Sequence, residues 1–586
     1  MRRRTAAATA ALVLLAIGVR VATHLELRDY VLYRVPLVDA EDYVEWAVRA
    51  ARGEAEVADV YYKAPLYPWV LSIAMRVGGA SVDTAYVLNA VLGVASVLLL
   101  GLWTRRLCGP PWGWVAAVLA AVYGPILYFE AQALPPALVI PLSTGALLAL
   151  TSGHGLPGRR GAMLAGVVLG LLVLVRPSFA VWIPVAALWL AWRTRPRAWR
   201  RALVVVLTAT AVVAPVTLRN VVRGGAWVPV SANGGINFYL GNNADAARTS
   251  ALRPGLEWEE LVRRVPEAER RGRARWDRWF ARQAWSWVRQ QPLQFVAGLT
   301  SKTLQYANVH EIDRNLDVRG FRARSRVLRG APRYAWLAPW LLLGIVAAWR
   351  RGHAGRLVVL LAAASMAATV LFFVSERYKL DAIAVTLPLA VGGFAAALAS
   401  VRRRAGALPR TWSLALVAAG FLLAFPNWLG IHHLQTARAA ALEGVATYAE
   451  GRNVEAVALL RRALDEEPRD ADAHYQLATA LRRLNRFEAA LESFEAAARL
   501  VPGNPKPHAG AGLVLRQLGR PQQALQRYRD ALRQDPRNVL LHFEIAELLE
   551  ELGDPRGAET QYRAVLEIGA DPQMVSEVER RLQRLQ

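Results

Sequence analysis

Apolar stretches of roughly 16 to 22 residues, about the length that crosses a bilayer core, dominate the first three quarters of the chain. They recur near residues 5–24, 82–104, 112–129, 133–152, 161–175, 178–192, 202–218, 334–349, 355–374, 382–400 and 411–430. The pattern predicts an all-α polytopic domain over 1–436 with about eleven transmembrane helices. Long polar segments over 25–81 and 219–333 read as loops on one face. The first stretch is read as a retained span, because no small-residue cleavage pattern follows it.

After residue 436 the period changes. Pro468, Pro502 and Pro536 are 34 residues apart, and the same register aligns Ala456, Ala490, Ala524 and Ala558, then Leu460, Phe494, Tyr528 and Tyr562. Gly444, Ala478, Gly512 and Ala546 supply small residues where paired helices cross. These columns resemble the tetratricopeptide repeat family. They imply an α-solenoid of four repeats and a capping helix over 437–586 that binds peptides, partner proteins or copies of itself.

Charge follows the same division. Of 71 Lys and Arg and 46 Asp and Glu, the tail holds 21 and 23, leaving 50 basic against 23 acidic in the apolar part. A basic excess inside an apolar sequence fits loops beside membrane spans and argues against a nucleic-acid partner. With the amino terminus inside, the short cytoplasmic segments hold 19 basic residues and the short opposite loops hold three. Eleven spans then place the repeats outside, and the expected location is a cell (inner) membrane. Cys108 is the single cysteine, so no internal disulfide forms.

Candidate chemistry gathers at the predicted outer face. Asp39, Glu41 and Asp42 precede Tyr43 at the start of an amphipathic helix. Carboxylates beside a membrane need partners or a task, although acids also suit a solvated helix start. Tyr61 to Trp69 is aromatic around Lys63, either a site or an interfacial belt. Glu130 sits where a span exits, and Glu376, Arg377 and Lys379 lie between two span ends, where cations suit a phosphate. A tryptophan-rich stretch near 258–288 reads as an interfacial helix.

The order of these motifs resembles the GT-C glycosyltransferases of family 39, which include protein O-mannosyltransferases and lipid A aminoarabinose transferases. Asp39 to Tyr43 matches a D-x-x-x-Y context. Lys63 to Trp69 matches K-P-P-L-x-x-W except at Ala64, and Arg176-Pro177, Arg219-Asn220, the run Val230 to Asn243 and the patch His310 to Asp313 with Asn315 follow. The resemblance implies transfer of a sugar from a polyprenyl-phosphate carrier to an acceptor hydroxyl, with inversion. Asp39 would be the general base, with Asp42 a rival one turn on, and Glu130 would orient acceptor or base. Lys63 with Arg377 or Lys379 would hold the phosphate, and Tyr43 and Arg219 would complete the substrate site. A divalent metal is compatible with paired carboxylates, but cationic side chains do the same electrostatic work. The implied partners are the lipid-linked donor, the bilayer, and an acceptor protein, lipid or glycan reached through the repeats. Competing readings are a surface-polysaccharide ligase or polymerase, a lipid-linked sugar transporter and a non-catalytic scaffold.

Overall fold

The computed structural model describes residues 2–585 apart from 55–58, 152–156, 193–197, 253, 313, 315–316 and 428–435. Asp313, Asn315 and residues 431–435 just before the predicted repeat domain therefore lie outside the described residues. The chain divides into two compact units. The first is Met1–Ala251 with Glu267–His433, and the second is Leu252–Pro266 with Leu434–Gln586. The regular elements among the described residues are helices.

In the first unit six helices are long and apolar enough to cross a membrane: Thr5–Leu27, Val82–Cys108, Ala198–Gly224, Arg326–Arg350, His353–Leu371 and Ile383–Val401. The pair Pro110–Val122 and Gly124–Glu130, bent by 48°, raises the count to seven. This corrects the expected eleven. At about 1.5 Å per residue, the Pro136–Leu150 and Arg410–Ala424 helices fall short of a hydrocarbon core about 30 Å thick. The stretch at 178–192 breaks into a 3₁₀ turn, Pro177–Val181, and a short helix, Trp182–Ala191. The 161–175 stretch lies in the 17-residue helix Arg159–Val175. An apolar run of membrane length is thus not always a helix of membrane length, and Pro136 and Pro177 open two of the short elements.

Small residues let the helices approach. A Cβ on Gly344 would lie 2.0 Å from the Leu389 carbonyl oxygen, and one on Gly393 would lie 2.1 Å from the Trp340 carbonyl oxygen. Two helices therefore pack backbone against backbone, the crossing that small residues allow in a bilayer. Elsewhere Arg20 on the first helix pairs with Glu130 at 2.7 Å, both side chains buried.

The second unit carries eight antiparallel helices from Thr436 to Ile568, followed by Pro572–Leu585. The repeat columns are its core: Ala456, Leu460, Ala490, Phe494, Ala524, Tyr528, Ala558 and Tyr562 are all buried. A Cβ on Gly512 would lie 2.8 Å from the Tyr528 ring, which explains the small-residue column. Asp470, Asn504 and Asn538, spaced by the same period, cap the first helix of successive repeats through their side-chain oxygens.

Candidate active site

The helix Asp39–Ala51 begins with Asp39, Glu41 and Asp42 in its first turn, where negative charge faces the positive end of the helix dipole. Its N-cap is Val38 at φ +57°. A β-branched residue rarely enters that region, and such strain clusters at functional sites. The following segment brings Lys63 back over this turn. Its ammonium donates to Asp39 Oδ1 at 2.6 Å and to Asp42 Oδ2 at 2.5 Å. Arg377, at the start of the helix Glu376–Asp381, donates from Nη1 to Asp39 Oδ2 at 2.7 Å. Asp39 is thus gripped on both oxygens by cations more than 20 and 300 residues away in sequence.

Burial opposes ionisation of Asp39, but Lys63 and Arg377 outweigh it and hold the carboxyl well below the usual carboxylate range. Burial likewise works against the Lys63 charge, and Asp39 outweighs it, raising the ammonium above its ordinary value. Asp42 is more open, with 61% of its side chain exposed against 25% for Asp39. Tyr43 packs beneath this cluster, with the Lys63 ammonium 5.1 Å from its ring centroid.

One cavity borders the cluster, and a second is lined by Tyr378, the neighbour of Arg377. The first, a polar one of about 200 Å³, is lined by Asp42, Glu45, Trp46, Tyr61, Tyr62, Lys63, Arg219 and Arg273, among others. The second, a larger one of about 510 Å³, is mostly apolar, with Phe179, Trp182, Leu371, Phe372 and Phe373 in its wall and Arg176, Tyr378 and Asp381 at its polar side. Arg176 pairs with Asp381 at 2.9 Å, both largely buried. The guanidinium carbons of Arg176 and Arg377 lie 5.2 and 5.4 Å from the centroid of the Tyr378 ring. Arg176 Nη2 has no hydrogen-bond partner among the described residues.

Of the eight residues singled out in the sequence, Asp39, Asp42, Tyr43, Lys63 and Arg377 meet in one cluster. Arg219 lines the polar cavity beside it, its guanidinium over the Tyr61 ring at 4.1 Å and donating to the Asp59 carbonyl. Its neighbour Asn220 is buried, accepts from the Tyr61 N–H and donates to the Val228 and Val230 carbonyls. That explains the Arg-Asn pair as a clamp on the Lys63 segment. Glu130 and Lys379 are engaged elsewhere. The Glu130 carboxylate is held by Arg20, and buried Lys379 donates to the Asn308 carbonyl and faces Glu376 at 3.5 Å. Trp276 stacks on Tyr62 at 5.6 Å, so this part of the tryptophan-rich stretch packs on protein.

Asp381 and Arg273 were not anticipated. A lone acid opening the apolar run after Lys379 is a signal that sequence offers; Arg273, first residue of the arginine-rich helix Arg273–Gln290, carries none. As to a metal, the position between Asp39 and Asp42 is taken by the Lys63 ammonium. No group of three His, Cys, Asp or Glu side chains suited to a metal occurs among the described residues.

Residues 62–218 match the family model described as dolichyl-phosphate-mannose-protein mannosyltransferase. That segment includes Lys63, Glu130 and Arg176 but stops before Arg219 and Arg377. Residues 447–511 and 510–574 match tetratricopeptide repeat models. No curated protein sequence matches the chain. Among solved structures, a crystal structure of MamA is 20% identical over 23% of this chain and 78% of its own, with a TM-score of 0.23. MamA from Desulfovibrio magneticus RS-1 is 17% identical over 29% and 90%, also with a TM-score of 0.23. The Yersinia enterocolitica type III secretion chaperone SycD, in complex with a YopD peptide, is 22% identical over 19% and 88%, with a TM-score of 0.19. These scores are too low to bear on function. The chain is helical among its described residues, has membrane-length helices, and joins a segment similar to the dolichyl-phosphate-mannose-protein mannosyltransferase family model to C-terminal segments similar to tetratricopeptide repeats.

Proposed function

We propose that this chain is a membrane glycosyltransferase that moves a sugar from a polyprenyl-phosphate carrier to an acceptor hydroxyl, with Asp39 as general base. The observation that carries the reading is the grip of Lys63 and Arg377 on both oxygens of Asp39, beside a polar cavity that Lys63 and Asp42 line. The apolar cavity suits the first units of an isoprenoid tail, with Arg176 at its polar side for the phosphate. The polar cavity, with its carboxylates and aromatic faces, suits sugar and acceptor hydroxyls.

The resting grip has a mechanistic consequence. Asp39, Asp42, Lys63 and Arg377 together carry no net charge, and Asp39 bound to two cations is a weak base. A donor phosphate draws Lys63 and Arg377 to itself, which returns the Asp39 carboxylate toward ordinary basicity when the substrate is in place. The acceptor oxygen then attacks the anomeric carbon from the face opposite the phosphate and its proton passes to Asp39. The bond from carbon to phosphate oxygen breaks, and the departing carrier phosphate is stabilised by the two cations. This displacement inverts the anomeric centre.

The excess of 50 basic over 23 acidic residues in the apolar part supports a membrane protein with basic loops on the cytoplasmic side, and the site and the repeats are read as facing the other side of a cell (inner) membrane. The repeats then serve to recruit an acceptor protein or glycan. Incubating the purified protein with a panel of polyprenyl-phosphate sugars and a hydroxyl acceptor tests the activity. Acceptor-dependent release of carrier phosphate from at least one donor is expected. Its absence across the panel, in correctly folded protein, overturns the reading.

A further inference from the structure

The second unit contains a piece of chain that the repeat period does not include. Residues 252–266, drawn from the long 219–333 loop, belong to the repeat unit and not to the helices on either side of them in sequence. The short helix Leu256–Arg263 at their centre has only two turns, too few to be stable in water by itself. Its order therefore comes from the surface on which it lies.

That surface is built by the repeat. Leu256 is buried against Ala471, Ala497 and Val501, with Tyr475 and Leu500 at the edge. The Leu256 N–H donates to Asp472 Oδ1 at 2.7 Å, so a carboxylate of the array caps the helix from outside. Asn504, fully buried, donates from Nδ2 to the Leu256 carbonyl at 3.0 Å and to Glu259 Oε2 at 3.2 Å. The Lys506 ammonium meets Glu259 Oε1 at 2.5 Å. At the far end Arg263 approaches Asp535 at 3.8 Å and the Gln534 carbonyl at 3.4 Å. Asp472 and Lys506 occupy the same repeat position, 34 residues apart, so successive repeats read successive turns of the helix. Gly255 fits because a Cβ there would lie 2.3 Å from the Asp472 carboxylate.

We propose that this face of the array is a receptor for a short amphipathic helix carrying Leu, Glu three positions on and Arg four further on, and that residues 255–263 are its resident occupant. The exogenous partner is a protein segment of the same pattern, which binds by displacing the resident helix. A resident ligand on the same chain competes at an effective concentration on the order of millimolar, so the partner engages weakly until the resident helix is released. The inference stands on the repeat unit alone and is independent of the sugar-transfer reading.

The test uses the full-length protein in detergent and a fluorescent peptide of residues 252–266, with binding read by anisotropy. Glu259→Lys, at a partly exposed position, loosens the resident helix without touching the array. Leu256→Ser is a second, stronger release. Each variant is expected to bind the peptide at least about tenfold more tightly than wild type, as removal of a tethered competitor requires. Adding Asn504→Ala to a released variant should abolish that gain. A Lys506→Glu chain, in which the resident Glu259 meets a like charge, should prefer a peptide carrying Glu259→Lys, a reversal that a merely unfolded array would not give. Equal affinity in wild type and released variants, or no binding in any of them, overturns the proposal.

Discussion

The Lys63 ammonium stands 2.6 Å from Asp39 and 2.5 Å from Asp42, so one cation from the aromatic loop joins the two carboxylates of the first helical turn after the first span. With Arg377 on the other oxygen of Asp39, the two carboxylates and two cations satisfy one another. The cluster opens only to something that competes for the cations, and a phosphate is such a competitor.

Removing either cation should weaken donor binding and shift the pH profile together. Lys63→Ala and Arg377→Ala each delete a charge-assisted bond worth about 1.5 to 3 kcal/mol, about 10-fold to 150-fold in kcat/KM for the lipid donor. In the wild type both cations hold Asp39 below the usual carboxylate range, so its protonation leaves kcat/KM flat down to strongly acidic pH. Loss of one cation raises its pKa, and an acid limb should move up into the measurable range. A profile that keeps its shape in both variants would separate Asp39 from the rate.

The Arg176–Asp381 pair gives a stability test. Asp381→Asn leaves the Arg176 guanidinium buried without its counter-charge, a change that costs about 3 to 5 kcal/mol in buried pairs. Thermal unfolding in detergent should therefore show a larger loss for Asp381→Asn than for the double variant with Arg176→Gln. Additive losses would mean that the 2.9 Å approach contributes little coupling.

Gly393→Leu probes the helix crossing. Its Cβ would fall 2.1 Å from the Trp340 carbonyl oxygen, which is backbone and cannot swing aside. Overpacking of this kind costs about 1 to 3 kcal/mol or more, so the melting temperature should drop sharply, whereas Gly298→Leu, at an open position, should be tolerated. Equal behaviour of the two would show that the crossing is not close.

Much of this was legible before any coordinates. The repeat array announces itself because its period is chemical: Leu460, Phe494 and Tyr528 are spaced by the geometry of one helix pair. Asp39, Lys63 and Arg377 were legible as candidate charges beside an apolar chain, with a solvated helix start and an interfacial belt left open for the first two, and the contacts between them were not legible. The span count was not, because Pro136–Leu150 and Trp182–Ala191 are apolar runs whose helices end early, and hydropathy sees composition and not helix length. Nor were the partners of Glu130 and Lys379, since a buried charge advertises itself without saying whether Arg20 or a substrate receives it. The docking of Leu256–Arg263 was hidden for a related reason, as nothing in an Arg- and Glu-rich loop marks one Leu as the residue that will be buried.

The most direct test of the account is the single-turnover release of carrier phosphate, measured in wild type, Asp39→Asn and Asp42→Asn with the donor that the panel identifies. The amide keeps the shape of the carboxylate but does not accept the acceptor proton, and loss of a general base typically slows reaction about 100-fold to 10,000-fold. The account predicts that loss for Asp39→Asn with native unfolding behaviour, and a smaller loss for the more exposed Asp42→Asn. Wild-type turnover in Asp39→Asn, or the full loss in Asp42→Asn alone, would contradict it.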